Sequence, residues 1–203
     1  MYTLTSQIFT NAVTQYAFGE PTAPAANIDD LVALLRLEES DTYLEGLLVS
    51  ASQYAARYLN RTLITSIVNR LYDTARSRGL AMEYKEDNGL YLPYGPVQSI
   101  VFIKTIDRDG NMTEITNYYS DLVSEPARVM LRGASASREI ASLVINYAAG
   151  YGATYAAVPR LIQQGILQHA AYMYEHRGDC GADEAAKLSG AHSMYGTYRT
   201  VIV

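Results

Sequence analysis

The sequence has no tryptophan, one cysteine and only three phenylalanines among its 203 residues. The lone Cys180 excludes an internal disulfide and a zinc site built from four cysteines. There is no run of about 18 apolar residues, so the sequence predicts no transmembrane helix. The first residues lack the basic segment and apolar core of a signal peptide. We therefore expect a soluble protein that is made in a reducing cytoplasm.

Positive charge is also scarce in this chain. The 16 Lys and Arg residues face 21 Asp and Glu residues, which gives a formal net charge of −5. The basic residues are spread along the whole chain, whereas sequence-reading DNA-binding proteins carry a basic patch. Stable binding to DNA is therefore not expected. An acidic protein can still surround DNA that slides past it, because few phosphate contacts mean little friction.

Tyrosine is the aromatic residue that the chain does use, at 18 positions. Its ring is apolar and its hydroxyl is polar, so tyrosine suits surfaces that become buried only on assembly. Tyrosine also replaces phenylalanine within strands, which is the simpler explanation for about half of these positions. The hydrophobic fraction is 49%. A chain of this length and composition can fold and bury roughly 70% of its unfolded surface.

Three segments have the apolar periodicity of helices. The pattern predicts helices at about 28–37, 41–60 and 159–177, with Asn27 capping the first and Gly178 ending the third. The second and third helices are expected to pack against each other through six apolar residues, Leu44, Leu48, Ala51, Ile162, Ile166 and Met173.

From residue 62 the apolar period changes to two, which predicts strands. The candidate strands are 62–73, 80–85, 89–92, 97–106, 112–122, 127–131 and 140–147. Asp109 and Gly110 mark a hairpin turn between two of them. Residues 1–26 contain Pro21 and Pro24 and are predicted to form an extended arm.

The segment beyond the third helix is predicted to be a second, flexible arm. Residues 178–194 are rich in Gly, Ala and Ser, which is typical of a flexible tether. Residues 195–203 are β-prone and have no obvious partner strand in the chain. The predicted fold class is therefore α+β. Two N-terminal helices and one C-terminal helix form a small bundle, an antiparallel β insertion separates the second and third helices, and arms extend from both ends.

Several pieces of the sequence resemble the head–tail connector, or adaptor, proteins of tailed phages. The first is Leu-Val-Ala-Leu-Leu-Arg-Leu at 31–37, followed by acidic residues and a helix that ends in Ala-Ala-Arg-Tyr-Leu-Asn-Arg-Thr-Leu at 55–63. The second is Leu-Pro-Tyr-Gly-Pro-Val-Gln-Ser-Ile at 92–100. The third runs from Ala-Gly-Tyr at 149–151 through Val-Pro to a helix that closes on Tyr-Glu-His-Arg at 174–177.

The resemblance covers residues 27–177, and Tyr198-Arg199 is similar to a motif near the family's C-terminus. It implies a connector domain at 27–177 and a homo-oligomeric ring, a dodecamer in this family, that attaches to the portal protein of the capsid. Such a ring extends the DNA channel and meets the next neck or tail-completion protein. No catalytic residue, cofactor or metal is predicted. The resemblance implies a location at the head–tail interface of the virion after assembly in the host cytoplasm.

For the β-prone C-terminal segment we predict a docking role on the portal or on a neighbouring subunit. An unpaired strand can add to the sheet edge of another chain. In this hypothesis Tyr198 and Ile202 anchor one face of the strand and Tyr195 lies at its start. Arg199 pairs with a carboxylate of the partner. The segment is expected to become ordered only on assembly.

No set of residues has the spacing of a catalytic or metal site. His169 and His176 are separated by about 10 Å along a helix, which is too far for one zinc ion. His176 and Cys180 supply only two good ligands, and a helix end is predicted between them. The acidic turn at 107–111 has its glycine too early for a calcium loop. Tyr155 stands where a dinucleotide-binding loop needs its third glycine.

Two other functions remain open from the sequence. One is a DNA-packaging accessory protein that touches DNA, which salt-sensitive DNA binding would indicate. The other is an enzyme or small-ligand module with a pocket between the β insertion and the last helix. Oligomeric state separates both from a connector, because a connector forms a ring on its portal and an enzyme keeps one state.

Overall fold

The structure, a computed structural model, describes residues 9–11, 14–18, 23–73, 89–132 and 140–200. The chain divides into two compact units. A β unit comprises Met1–Glu20 and Ser66–Ala149, and a helical unit comprises Pro21–Thr65 and Gly150–Val203. The predicted α+β class, with an antiparallel β insertion between the second and third helices, is confirmed.

Within the described residues, the larger sheet of the β unit has six antiparallel strands in the order β1-β2-β3-β9-β5-β6. These strands are β1 (Phe9–Asn11), β2 (Thr14–Phe18), β3 (Ser66–Asp73), β5 (Val97–Asp107), β6 (Met112–Glu114) and β9 (Ile140–Ala149). The long strands β3 and β5 flank β9 along most of its length. Alternate residues of β9, such as Ile145 and Tyr147, are fully buried, as the period of two requires.

In the part of the chain that the structure describes, the smaller sheet has three antiparallel strands in the order β4-β8-β7. They are β4 (Leu90–Leu92), β7 (Tyr118–Asp121) and β8 (Ala127–Leu131). Apolar residues of both sheets share one buried cluster, so the sheets pack face to face. The hydroxyl of Tyr147 on β9 donates to the carbonyl of Pro93 at 2.7 Å, which satisfies a polar group within this core.

The hairpin between β5 and β6 lies where Asp109 and Gly110 predicted it. Asp107 accepts hydrogen bonds from the backbone N–H groups of Asp109 and Asn111 and from the Asn111 side chain. These bonds, led by the one from the Asn111 side chain, hold the pKa of Asp107 below its usual value. The Asp107 carboxylate therefore stabilises the turn between β5 and β6.

The helical unit contains α1 (Ile28–Leu35), α2 (Thr42–Leu59), a 3-10 turn (Tyr155–Ala157), α3 (Arg160–Glu175), α4 (Ala182–Leu188) and α5 (Ala191–Gly196). Asn27 and Asp41 cap the first two helices by accepting from the backbone N–H groups of Asp29 and Leu44. All the helices except α4 contribute to one buried cluster. The predicted bounds of α1, α2 and α3 agree with the structure to within two residues.

Gly150 in the Ala-Gly-Tyr turn is required by its backbone angle and by the close approach of another chain segment. Its φ of 134° is a backbone angle that residues with a side chain rarely adopt. A Cβ atom at this position would lie 2.6 Å from the backbone of Thr65. This close approach lets Thr65 N–H donate to the carbonyl of Gly152 and Tyr151 N–H donate to that of Leu63. The chain segments on either side of the β unit are thus joined within the helical unit.

Both predicted arms need correction. Within 1–26, the strands β1 and β2 pair with each other and with β3, so this part of the segment belongs to the larger sheet. Within 178–203, α4 and α5 replace the predicted flexible tether. The small residues that suggested flexibility include buried alanines, Ala185, Ala186 and Ala191. Alanine is the best helix former, and packing stabilises helices too short to persist alone.

Two strand predictions also have different outcomes. The predicted strand 112–122 is divided into Met112–Glu114 and Tyr118–Asp121, which belong to different sheets. The predicted strand 80–85 lies outside the described residues.

Candidate assembly surfaces

The outer face of the smaller sheet presents large side chains to solvent. Tyr91 and Asp121 both pair in register with Arg128, and Tyr119 pairs with Met130, so these five residues share one face. Tyr91 and Tyr119 are exposed and Met130 is half-buried. Tyrosine, arginine and methionine are enriched at protein interfaces. We call this surface the tyrosine face.

The turn between β7 and β8 projects from the edge of the same sheet. Asp121 accepts from the backbone N–H groups of Val123 and Ser124, from the Ser124 hydroxyl at 2.7 Å and from Arg128 Nε at 3.2 Å. The bonds from Ser124 are the main cause of a pKa of Asp121 below its usual value. The turn is therefore held in one conformation while Val123 at its tip is 94% exposed.

An open groove lies between α1 and α3 in the helical unit. Its volume is about 650 Å³, and its lining residues are Asp30, Ala33, Leu34, Arg160, Leu161, Gln163, Gln164 and Leu167. Leu34 is 46% exposed and Leu161 is 40% exposed, so apolar surface is open to solvent on both helices. The groove can receive an apolar side chain from another molecule.

One wall of this α1–α3 groove is fixed by the buried Gln163. Its amide donates to the carbonyls of Tyr155 and Val158, at 2.9 and 2.6 Å, and so ties the 3-10 turn to α3. Its carbonyl accepts from Arg160 Nη1 at 3.2 Å. The guanidinium of Arg160 is thereby held at the groove, where it offers positive charge to a partner.

The Tyr-Glu-His-Arg segment at the end of α3 forms a cluster of stacked side chains. The guanidinium of Arg177 lies 4.2 Å from the ring centre of Tyr174 and 4.7 Å from that of Tyr43. The ring of His176 stacks on that of Tyr172 at 4.0 Å. Cation–π and ring contacts of this kind fix side chains at the helix end, so this motif has a structural role.

The C-terminal helices pack on α2 and α3 through aromatic side chains. Tyr195 of α5 is fully buried, with its ring 6.4 Å from Tyr54 and 6.2 Å from Tyr58. The hydroxyl of Tyr54 donates to Asp183 of α4 at 2.7 Å. Burial, followed by this hydrogen bond, raises the pKa of Tyr54, while the bonds from Lys187 and Tyr54 lower that of Asp183.

Residues 198–200 continue this attachment beyond α5. Arg61 Nε donates to the carbonyl of Tyr198 at 2.7 Å, and Thr200 N–H donates to the carbonyl of Leu59 at the end of α2. Asn60 donates to the carbonyl of Thr200. The guanidinium of Arg199 lies over the ring of Tyr58. The chain is therefore fixed to the helical unit as far as Thr200.

The four predicted docking residues do not form one exposed strand face. Tyr195 is in the core, Tyr198 is half-buried, Arg199 is exposed and Ile202 lies outside the described residues. The sequence prediction of an unpartnered β segment is wrong for 195–200, because these residues end a helix and bond to α2. Tyr195 cannot anchor a partner without leaving the core.

The six residues predicted to pack the helices are almost all buried. Five of them are fully buried and lie in the core cluster of the helical unit: Leu44, Leu48, Ala51, Ile162 and Ile166. Met173 is half-buried and packs against that cluster.

His169 is a buried core residue. It is fully buried, and the ring of Tyr54 meets its ring edge-on at 5.0 Å. Burial lowers the pKa of His169, and the nearby backbone of Ala182 opposes this shift without forming a well-aligned hydrogen bond to either ring nitrogen. The residue is therefore neutral at pH 7 and functions in packing.

Acidification is expected to destabilise the helical unit through His169. Below pH 6.5, about the ordinary pKa of histidine, the unfolded chain binds a proton that the folded chain resists. The loss begins near that pH and continues down to the lowered folded pKa. Urea unfolding followed by circular dichroism should show this slope, and His169→Leu should make it shallower. Equal slopes in the two proteins would contradict the assignment.

Within the described ranges, no three His, Cys, Asp or Glu side chains are grouped closely enough to hold a metal ion. No helix in the same residues has the length and apolar character to cross a bilayer.

Comparison with known proteins identifies the fold. No protein-family model and no curated protein matches the sequence. A chain in a structure of the virion of a native gene transfer agent (GTA) particle matches with a TM-score of 0.69 and 22% identity, over 92% of this chain and 96% of that one. The fold is shared with chains of GTA particles. Two further matches with the same coverage come from the neck of the empty particle, computed with C6 symmetry, and of the native particle, computed with C12 symmetry. Their TM-scores are 0.66 and 0.61, at 21% and 23% identity.

Sequence reasoning missed the candidate surfaces themselves. The Asp-Leu-Val-Ser segment at 121–124 is typical of a turn whose backbone is capped by the aspartate side chain. The sequence does not show that Val123 is exposed, because exposure depends on the tertiary structure. The apolar residues Leu34 and Leu161 fit the helical period equally well as core residues. Gly165 within α3 is a sequence signal of close packing, because glycine is costly inside a helix, and in the structure it lies against Tyr195.

Proposed function

We propose that this chain is a structural subunit of the neck of a phage-like virion. Identical subunits form an adaptor ring that attaches to the portal, extends the DNA channel and joins the capsid to the next neck or tail protein. The ring is a dodecamer in this proposal. DNA passes through it without stable binding, and the protein performs no catalysis.

The fold likeness over nearly the full length of both chains carries this proposal. The match covers 92% of this chain and 96% of the GTA chain, more than either unit alone could supply. The sequence resemblance to phage connectors adds support, because its pieces occur in the family's order. Fold alone does not determine function, so the ring and its portal contact require a direct test.

Assembly on a portal is the decisive experiment. The full chain should be mixed with the portal ring of the same particle, and the mass of the complex measured by native mass spectrometry. We expect one ring of this protein for each portal ring. A chain that keeps a single state and never associates with the portal would contradict the proposal. Arg199→Ala should weaken this association, because Arg199 is an exposed member of the predicted docking residues.

A measurement of binding to duplex DNA distinguishes the proposed neck subunit from a DNA-packaging accessory protein. The negative net charge predicts no submicromolar binding of the isolated chain at physiological salt. Fluorescence anisotropy with a labelled duplex at two salt concentrations measures this. Tight binding that weakens steeply with added salt would favour a protein that contacts phosphates directly.

A further inference from the structure

His169 lies on the face of α3 that the C-terminal helices α4 and α5 cover. It is fully buried, and neither ring nitrogen forms a hydrogen bond to a described residue. The ring of Tyr54 on α2 meets it edge-on at 5.0 Å, and the backbone of Ala182 at the start of α4 lies close to it. A protonated imidazole in this place would carry two N–H donors without well-aligned acceptors, which is costly away from water.

The α4–α5 segment, residues 182–196, depends on this contact for its own stability. Its two helices have seven and six residues, too few to persist without packing. Gly178, in the connection from α3, has a φ of 82° and no atom within 4 Å of the place of a Cβ. The helices α2 and α3 have a separate buried contact, to which Leu48, Ile162 and Ile166 contribute. The segment can therefore open while α2 and α3 stay packed.

The charge of the surrounding groups is nearly constant between pH 5.5 and 7.5, apart from that of the histidines. The titratable side chains of the elements around His169 are Tyr54 and Tyr58 of α2, Tyr172 of α3, Asp183, Glu184 and Lys187 of α4, and His192 and Tyr195 of α5. His192 lies 4.2 Å from the ring of Tyr58, and its attraction helps to lower the pKa of Asp183. Both partners belong to the α4–α5 segment, so a charged His192 favours the folded segment and acts against opening.

We propose that the α4–α5 segment is an acid-sensitive latch, which protonation of His169 releases from α2 and α3 while these two helices stay folded. In the open state the imidazole is exposed and binds a proton at about its ordinary pKa of 6.5. In the closed state burial lowers its pKa, so this proton is resisted. The closed latch is therefore fully stable well above pH 6.5 and loses stability as the pH falls from there towards the lowered value.

An open latch changes the surface of the helical unit. The ring of Tyr195, fully buried in the closed state, leaves the core, and the rings of Tyr54 and Tyr58 lose their cover on that side. Tyrosine is enriched at protein interfaces, so the open form offers a surface that the closed form hides. This property belongs to the isolated chain and does not depend on the proposed ring.

Hydrogen exchange followed by mass spectrometry at pH 7.5, 6.5 and 5.5 tests the latch on the full-length chain. The opening constant is obtained after correction for the pH dependence of the chemical exchange rate. For amides in 182–196 it should rise about tenfold from pH 7.5 to 5.5, the change expected for one group with an open-state pKa near 6.5. Amides of α2 and of residues 160–167 should keep their protection. No rise in 182–196, or an equal rise in α2 and α3, overturns the proposal.

Substitution of each histidine assigns the effect, because the chain has only three. His169→Leu keeps a side chain of similar size in the core and should abolish the rise. His176→Gln and His192→Gln are the matched controls and should retain it. A rise that persists in His169→Leu overturns the proposal. Should circular dichroism show that this variant is unfolded, the controls decide: a rise in both assigns it to His169 by elimination, and its loss in either one overturns the role of His169.

Discussion

Replacing Ile166 by alanine is expected to lower the free energy of unfolding of the helical unit by about 2–5 kcal/mol. Ile166 is fully buried within the cluster formed by α2, α3 and their neighbours. Truncation removes apolar contacts and leaves a cavity that the packed helices can close only in part. Urea unfolding followed by the helical circular dichroism signal suits this measurement, because the chain has no tryptophan.

Leu161→Ala is the matched control for this prediction. Leu161 lies on the same helix but is 40% exposed at the groove, so its truncation should cost much less than that of Ile166. An Ile166→Ala cost below about 0.5 kcal/mol, in the range of ordinary surface substitutions, would show that this face of α3 is not core.

Local signals were sufficient to predict most of the regular elements. Asn27 was recognised as a cap before α1, and the apolar spacing from Leu44 to Leu48 and Ala51 gave α2 almost to the residue. Alternation along 97–106 and 140–147 predicted β5 and β9. These features depend on neighbours within a few residues, which is the range that sequence periodicity reports.

Pairings between distant segments were outside the reach of those signals. β2 joins the sheet by pairing with β3, some fifty residues later, so residues 14–18 gave no local sign of their partner. The helices α4 and α5 have seven and six residues, too few for a clear helical period. Their stability comes from burial of alanines and of Tyr195, which only the tertiary structure shows.

The candidate site was hidden for a related reason. Val123 and Leu161 are apolar residues that the structure leaves exposed, whereas sequence patterns assign such residues to the core. Predicting the groove would require knowing that α1 and α3 lie side by side. The sequence did predict correctly that Asp107 belongs to a turn, because that interaction spans only four residues.

Replacing Tyr195 by alanine is expected to cost about 3–5 kcal/mol, as for other large buried aromatic residues. The ring is fully buried and fills the space beside Gly165, where a Cβ would lie only 2.6 Å from Tyr195 Cε1. Removing it leaves a cavity between α3 and α5 and frees the chain beyond α4. The change should appear as a lower urea midpoint and as faster proteolysis near α5, because segments that lose packing open more readily.

Tyr195→Phe separates packing from hydrogen bonding at the same position. The Tyr195 hydroxyl is buried and makes no hydrogen bond to any described residue, and its burial raises the pKa of the phenol well above the usual value. Phenylalanine keeps the ring and removes an unsatisfied polar group, so this variant should be as stable as the parent or slightly more stable.

This pair of variants also decides between the two descriptions of the C-terminal segment. If residues from 195 onward were a free docking arm, neither substitution would change the stability of the isolated chain, and only attachment to the portal would suffer. If Tyr195 is a core residue, the alanine variant is destabilised before any partner is present, while the phenylalanine variant assembles normally. If the alanine variant is as stable as the parent, Tyr195 is not a core residue and the predicted docking role for it stands.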